Sequence, residues 1–176
     1  MMNLRKATPD DAPFIARMVM MALHMDGDEV FMADMSRVAG LDDTIYSWRR
    51  CTLAECDGQP VGLCLAYDGG LYHAMREVTF PMFRLTDDSV MTQQDETGAG
   101  EYYIDSLAVL PEFRGRGIGG LLLTDAIGTG QSMALTPGLL VLPDNEPAQR
   151  LYGSKGFRYH SEQAAFGHAY QKWRVE

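Results

Sequence analysis

The segment from Tyr102 to Ile127 constrains this chain most. Tyr102 to Leu110 is a run of strand-forming residues, and Pro111 stops it. Arg114-Gly115-Arg116-Gly117-Ile118-Gly119-Gly120 follows, and helical spacing resumes from Ile118 to Ile127. A strand, closely spaced glycines and a helix together make a phosphate-binding arrangement. The helix start leaves N–H groups without partners, and its dipole adds partial positive charge. Glycines let the backbone approach phosphate oxygens without an intervening Cβ. Arg114 and Arg116 add fork-shaped donors, in a chain whose formal charge is −9.

Three readings compete for such a loop. A P-loop would end in Gly-Lys-Ser/Thr, and here the end is Gly119-Gly120-Leu121, so that reading fails. A dinucleotide fingerprint fits formally on Gly115, Gly117 and Gly120, with Asp144 near the end of the next strand as the ribose acid. That loop should turn directly out of the first strand of its unit, whereas Pro111-Glu112-Phe113 intervene and the strand lies mid-chain. A plain turn capping a helix leaves both arginines unexplained. The third reading is an acyl-CoA loop.

The rest of the chain reads as a mixed α/β (α+β) domain. Leu4 to Ala7 is a first strand. Thr8-Pro9-Asp10-Asp11 starts a helix that carries Phe14, Met18, Met21, Ala22 and Met25 at helical spacing. Phe31, Met32, Met35 and Val38 predict a second helix ending near Gly40, with a further turn or two between Leu41 and Trp48. Thr52 to Cys56 and Val61 to Tyr67 are strands joined by a hairpin at Asp57-Gly58. Leu71 to Gly100 is an insertion with a short helix near His73 to Phe80 and a flexible end at Thr97-Gly98-Ala99-Gly100. Gly128 and Gly130 are expected to end or fray the helix from Ile118. Leu139 to Leu142 is a strand, Asn145 to Ser154 a helix, and Phe157 to about Trp173 a final strand pair.

Length, charge and cysteine content narrow the class. At 176 residues the chain is expected to form one domain, 1–176. The acidic balance argues against a nucleic-acid partner and against an anionic membrane surface, and it suits a cationic substrate such as an amine. The longest apolar run, Met18 to Leu23, is too short to span a bilayer, and no signal peptide is expected. Cys51, Cys56 and Cys64 are an odd count without clustered spacing, which points to reduced thiols and a cytoplasmic location. His24, His73, His160 and His168 are scattered without ligand spacing, so no metal is expected.

Two segments in this order resemble the GNAT family of N-acetyltransferases. The first runs from Tyr103 to Gly119, with Arg114, Gly117 and Gly119 on the family's R/Q-x-x-G-x-G/A pattern. The second comprises Val141, Asn145, Ala148, Leu151-Tyr152 and Gly156-Phe157. The resemblance implies an acyl-CoA N-acyltransferase fold, with a mostly antiparallel splayed sheet of six to seven strands and about four helices. It implies acetyl-CoA as co-substrate and acetyl transfer to a primary amine by direct attack in a ternary complex. The pantetheine arm is expected on Leu107, Ala108 and Val109, and the pyrophosphate on Arg114, Gly115, Arg116, Gly117, Ile118, Gly119 and Gly120. Asn145 would position the arm, and Tyr152 would protonate the leaving thiolate or hydrogen-bond it.

The base is open at this stage. Tyr103 stands where some members carry a glutamate. Strand alternation puts its neighbours Glu101 and Asp105 on the same face, and either is a candidate. The regions outside the resemblance, 24–50 and 71–100, are expected to form the acceptor site for a small-molecule or peptide amine. Acids at Asp26 to Glu29 and at Asp87, Asp88, Asp95 and Glu96 are candidates for attracting a cation. A homodimer is a further expectation. The alternatives are a non-catalytic acyl-CoA sensor of the same fold and a nicotinamide-dependent oxidoreductase.

Overall fold

Thr8 starts a 3-10 turn, Pro9–Asp11, which runs directly into the first α-helix at Ala12, so helical structure begins where the sequence suggests but its first turn is 3-10. The Asp11 carboxylate accepts from the Thr8 N–H at 2.8 Å and from Arg5 at 2.7 Å, so the first strand and the helix start are tied together. The fold was analysed in a computed structural model, which describes residues 1–25, 27–83 and 94–176. In chain order the strands are β1 (Met2–Lys6), β2 (Cys51–Cys56), β3 (Gln59–Asp68), β4 (Glu101–Val109), β5 (Thr136–Val141), β6 (Phe157–Ala165) and β7 (His168–Val175). The α-helices among the described residues are α1 (Ala12–Ala22), α2 (Glu29–Ala39), α3 (Tyr72–Met82), α4 (Ile118–Ser132) and α5 (Glu146–Ser154). Asp26, Asp87 and Asp88, named above as acids that attract a cation, lie outside the described residues.

The seven strands form one sheet in the order β1-β2-β3-β4-β5-β7-β6. Every pairing is antiparallel except β4 with β5. The β2–β3 hairpin turns at Asp57 (φ 50°) and Gly58 (φ 78°), the left-handed pair that matches strand twist. Ile15, Met18 and Val19 of α1 and Met35 and Val38 of α2 are fully buried in the same core as Leu53, Leu63 and Leu65. Met18 and Met20 of α1 are thus core packing, whereas Met21 lines the cavity described below and Met25, beyond the helix, is exposed.

Three expectations are corrected. Gly128 and Gly130 do not end α4, which runs on to Ser132. A Cβ on Gly130 would stand 2.7 Å from Tyr102 Cβ, so this glycine lets the helix lie close against β4. Between Leu41 and Trp48 no helix forms, only one hydrogen-bonded turn closed by the Ser47 N–H on the Thr44 carbonyl at 3.3 Å, and a short 3-10 turn at Trp48–Arg50 leads into β2. Thr97 is not part of a loose tip: it is buried, and its hydroxyl donates to Glu101 at 2.7 Å.

Candidate active site

β4 and β5 pair only from Glu101↔Thr136 to Ile104↔Leu139. Beyond that rung β4 stays with β3 as far as Gly62↔Val109, while β5 follows β7 to Val141↔Gln171. The strands therefore part at Asp105. Asp105 is also the extra residue of a bulge, because Ala66 pairs with Ile104 and Leu65 with Ser106. A bulge at the splay point breaks the simple alternation that put Glu101 and Asp105 on one face.

The opening is a cavity of about 660 Å³. Asp105, Leu107, Ala108 and Val109 line one wall, and Leu140, Val141 and Leu142 the other. Met21 and His24 close one side, and Asn145, Tyr152 and Tyr170 another. Strand edges that part in this way carry peptide groups with no partner across the gap, so an extended amide chain can pair there.

The glycine loop stands at one end of this cavity. Pro111–Phe113 form one 3-10 turn, and Gly115 (φ 74°) and Gly117 (φ 78°) take left-handed conformations that favour glycine. The first intrahelical bond of α4 runs from the Leu121 N–H to the Gly117 carbonyl at 3.0 Å. The N–H groups of Ile118, Gly119 and Gly120 precede it and lie at the open helix end, where an anion is favoured. Arg114 lines the cavity and donates to the Val109 carbonyl at 3.1 Å. Arg116 does not line it. Its guanidinium lies over the Phe113 ring at 4.9 Å and donates to the Glu112 carbonyl. Lys155, which the sequence did not single out, lies over Gly120: a Cβ there would be 3.2 Å from Lys155 Cε.

Asn145 lines the cavity while its side chain caps α5, accepting from the Ala148 N–H at 3.2 Å. Tyr152 lies on α5, half-buried, its ring tilted 6.1 Å from that of Phe157. Burial pushes its phenol up to about 12. Neither buried thiol is a ready nucleophile: Cys64 is pushed up to about 12 by burial, and Cys51 upward for the same reason.

The two candidate bases differ in placement. Asp105 faces the cavity, accepts from the Tyr67 hydroxyl at 2.8 Å and from the Ser106 hydroxyl at 3.0 Å, and is pushed up to about 7. Burial is the main cause, the charge of Glu96 adds to it, and the two hydroxyl donors oppose it. Glu101 does not line the cavity. It is buried against Gly138, where any side chain would collide with it, and is bound by Lys172 at 2.7 Å and by Thr97. Tyr67 is the partner that sequence reasoning missed. Its one signal is a polar tip at the end of an otherwise apolar strand.

Among the described residues no group of three His, Cys, Asp or Glu could hold a metal ion. Nor is any described helix long and apolar enough to cross a membrane.

The sequence model of the acetyltransferase (GNAT) family matches residues 20–157. No curated protein matches the chain. Among solved structures, one described as an acetyltransferase is 27% identical over 99% of this chain and 98% of its own, with a TM-score of 0.79. An N-acetyltransferase from Staphylococcus aureus Mu50 is 21% identical over 98% and 100%, with a TM-score of 0.84. A PaiA N-acetyltransferase from Thermoplasma acidophilum, in complex with coenzyme A, is 13% identical over 100% and 99%, with a TM-score of 0.62. The last two likenesses concern the fold.

Proposed function

We propose, from the premise that this chain belongs to the acetyltransferase (GNAT) family and is an acyltransferase, that it moves an acetyl group from acetyl-CoA to a primary amine by direct attack within a ternary complex. The observation that carries this reading is the placement of Asp105. A carboxyl pushed up to about 7 opens into the cavity at the point where β4 leaves β5.

The residues divide the work as follows. Ile118, Gly119 and Gly120 offer N–H groups to the pyrophosphate, with Gly115 and Gly117 shaping the loop and Arg114 adding charge. Leu107, Ala108 and Val109 hold the pantetheine arm along the free edge of β4, and Asn145 fixes the start of α5 against it. Arg116 braces the loop through Phe113. An amine must be neutral to attack, and Asp105 takes its proton directly or through one water. A backbone N–H near Val109 stabilises the tetrahedral oxyanion. Tyr152 hydrogen-bonds the departing sulfur and can return a proton to it. A phenol near 12 makes full transfer less favourable than donation of a hydrogen bond.

The acceptor, a small molecule or a peptide amine, would lie against the described parts of segments 24–50 and 71–100. Glu101 is a poorer base than Asp105 in this reading, since its carboxylate is bound by Lys172 away from the cavity.

The test is release of free thiol from acetyl-CoA across polyamines, aminoglycosides, amino acids and peptides, with a thermal-shift control. Stabilisation by acetyl-CoA together with amine-dependent thiol release supports the enzyme. Stabilisation without release under any amine favours a sensor. Absence of stabilisation by any CoA ester would sink the whole reading.

A further inference from the structure

Glu96 has no part in the reaction sketched above, yet it is held with unusual care. It precedes β4 at the end of the insertion. Its carboxylate accepts from the Tyr103 hydroxyl at 2.6 Å and from the Tyr72 hydroxyl at 3.1 Å. The Tyr103 ring meets the Tyr67 ring edge-on at 5.8 Å, and the Tyr67 hydroxyl donates to Asp105. Two carboxyls are thus joined through phenols.

The flanking chain cannot drift. Lys172 donates to the Glu96 carbonyl at 2.7 Å, Gln163 to the Asp95 carbonyl at 2.9 Å, and Arg76 binds the Asp95 carboxylate at 2.7 Å. The nearby charges oppose the rise at Glu96 only in part, and burial outweighs them. Lys172 of β7 opposes that rise by its charge, but its ammonium is bound to Glu101, and Arg174 of β7 also lies toward Glu101. Asp95 adds a repelling charge from the insertion. Tyr46 and Tyr170 also face these acids: the Tyr46 phenol is raised by burial and then by both Asp105 and Glu96, and the Tyr170 phenol by burial and then by Glu96. Two buried carboxyls whose phenol partners touch, with no cation among the described residues bound to either carboxylate, repel each other's ionisation.

We propose that Glu96 is a positioning residue that acts through Asp105: its charge, fixed by Tyr72 and Tyr103, sets the pH range in which Asp105 accepts the proton of the attacking amine. The shifts agree in sign. Glu96 is itself raised, chiefly by burial, and its charge is the second cause of the rise at Asp105. The pair takes up its protons as a unit, so Asp105 is ionised over a range that Glu96 controls. This inference rests on Asp105 as the base.

The experiment follows the side-chain carboxyls by 13C NMR from pH 4 to 9 in the full-length protein, with Asp105 assigned by D105N and Glu96 by E96Q. In the wild type each resonance is expected to report the other's midpoint. In E96Q the Asp105 midpoint is expected to fall by about one unit, and in E96D to stay near its original value. An unchanged midpoint in E96Q, or equal movement in E96Q and E96D, overturns the proposal. Independent single-midpoint curves in the wild type overturn it even if E96Q does not fold. Failure of the base assignment shows separately, as full thiol release by D105N.

Discussion

Lys172 donates to the Glu101 carboxylate at 2.7 Å, and both side chains are almost fully buried. The pair ties the start of β4 to the last strand, across Gly138 of β5. Because any Cβ at 138 would collide with Glu101, the glycine and the ion pair belong to one arrangement. Breaking a buried pair on one side leaves a desolvated charge. Glu101→Gln is therefore expected to lose about 2–4 kcal/mol of stability in urea denaturation. Its pH–rate profile for thiol release should keep the acidic limb of the wild type. A displaced limb would return Glu101 to the list of bases.

Tyr67 acts on Asp105 with the opposite sign to burial. Its hydroxyl donates to the carboxylate, which favours the ionised form. Tyr67→Phe removes that donor, so the Asp105 pKa should rise above about 7. The acidic limb of kcat/KM is expected to move up by about half a unit to one unit. Activity would fall several-fold at pH 6 and change little at pH 9. A limb that stays or moves down would contradict the assignment of Asp105.

The same carboxyl makes stability depend on pH. Folded Asp105 binds its proton up to about pH 7, against an ordinary value of 3.8. Between those values the native state holds more protons than the unfolded chain, so stability falls as pH rises through the window. Asp105→Asn carries no such charge. The variant should gain about 1–2 kcal/mol relative to the wild type at pH 8 compared with pH 4, and kcat should drop by about 10²–10⁴. The stability figure is set below the full shift because the side chain keeps some solvent contact and shares its titration with Glu96. Parallel stability–pH curves for the two proteins would sink this account.

What could be read beforehand follows from how local each signal is. The glycine loop, the Asp57-Gly58 hairpin and the Thr8 helix start are encoded by neighbours along the chain, and all three form as their residues suggest. The place of Asp105 depends on a bulge against β3 and on the divergence of β5, neither of which strand alternation can register. Glu101 and Lys172 are 71 positions apart, so nothing near Glu101 in the chain announces its partner. Arg116 has the residue type of a phosphate ligand, yet an adjacent aromatic ring engages it first. The glycine loop therefore bears on the cofactor alone. The proposed protonation chemistry rests on contacts from β3, α3 and the segment before β4.

The two glycines of α4 offer a paired test of why that helix runs through them. Alanine gains about 1 kcal/mol over glycine in an exposed helix interior. At Gly128 an added Cβ meets nothing within 4 Å, so Gly128→Ala is expected to stabilise the protein by about that amount. At Gly130 the added Cβ would stand 2.7 Å from Tyr102 Cβ, an atom fixed to the β4 backbone. Overpacking costs about 1–3 kcal/mol when neighbours cannot retreat, which outweighs the propensity gain. Gly130→Ala should therefore lose about 1–2 kcal/mol, and the shift of Tyr102 should also raise KM for acetyl-CoA, since β4 continues into the cavity wall. Urea denaturation of the two variants side by side gives the answer. Equal stabilisation at both sites would mean that α4 does not lie as close to β4 as Gly130 indicates.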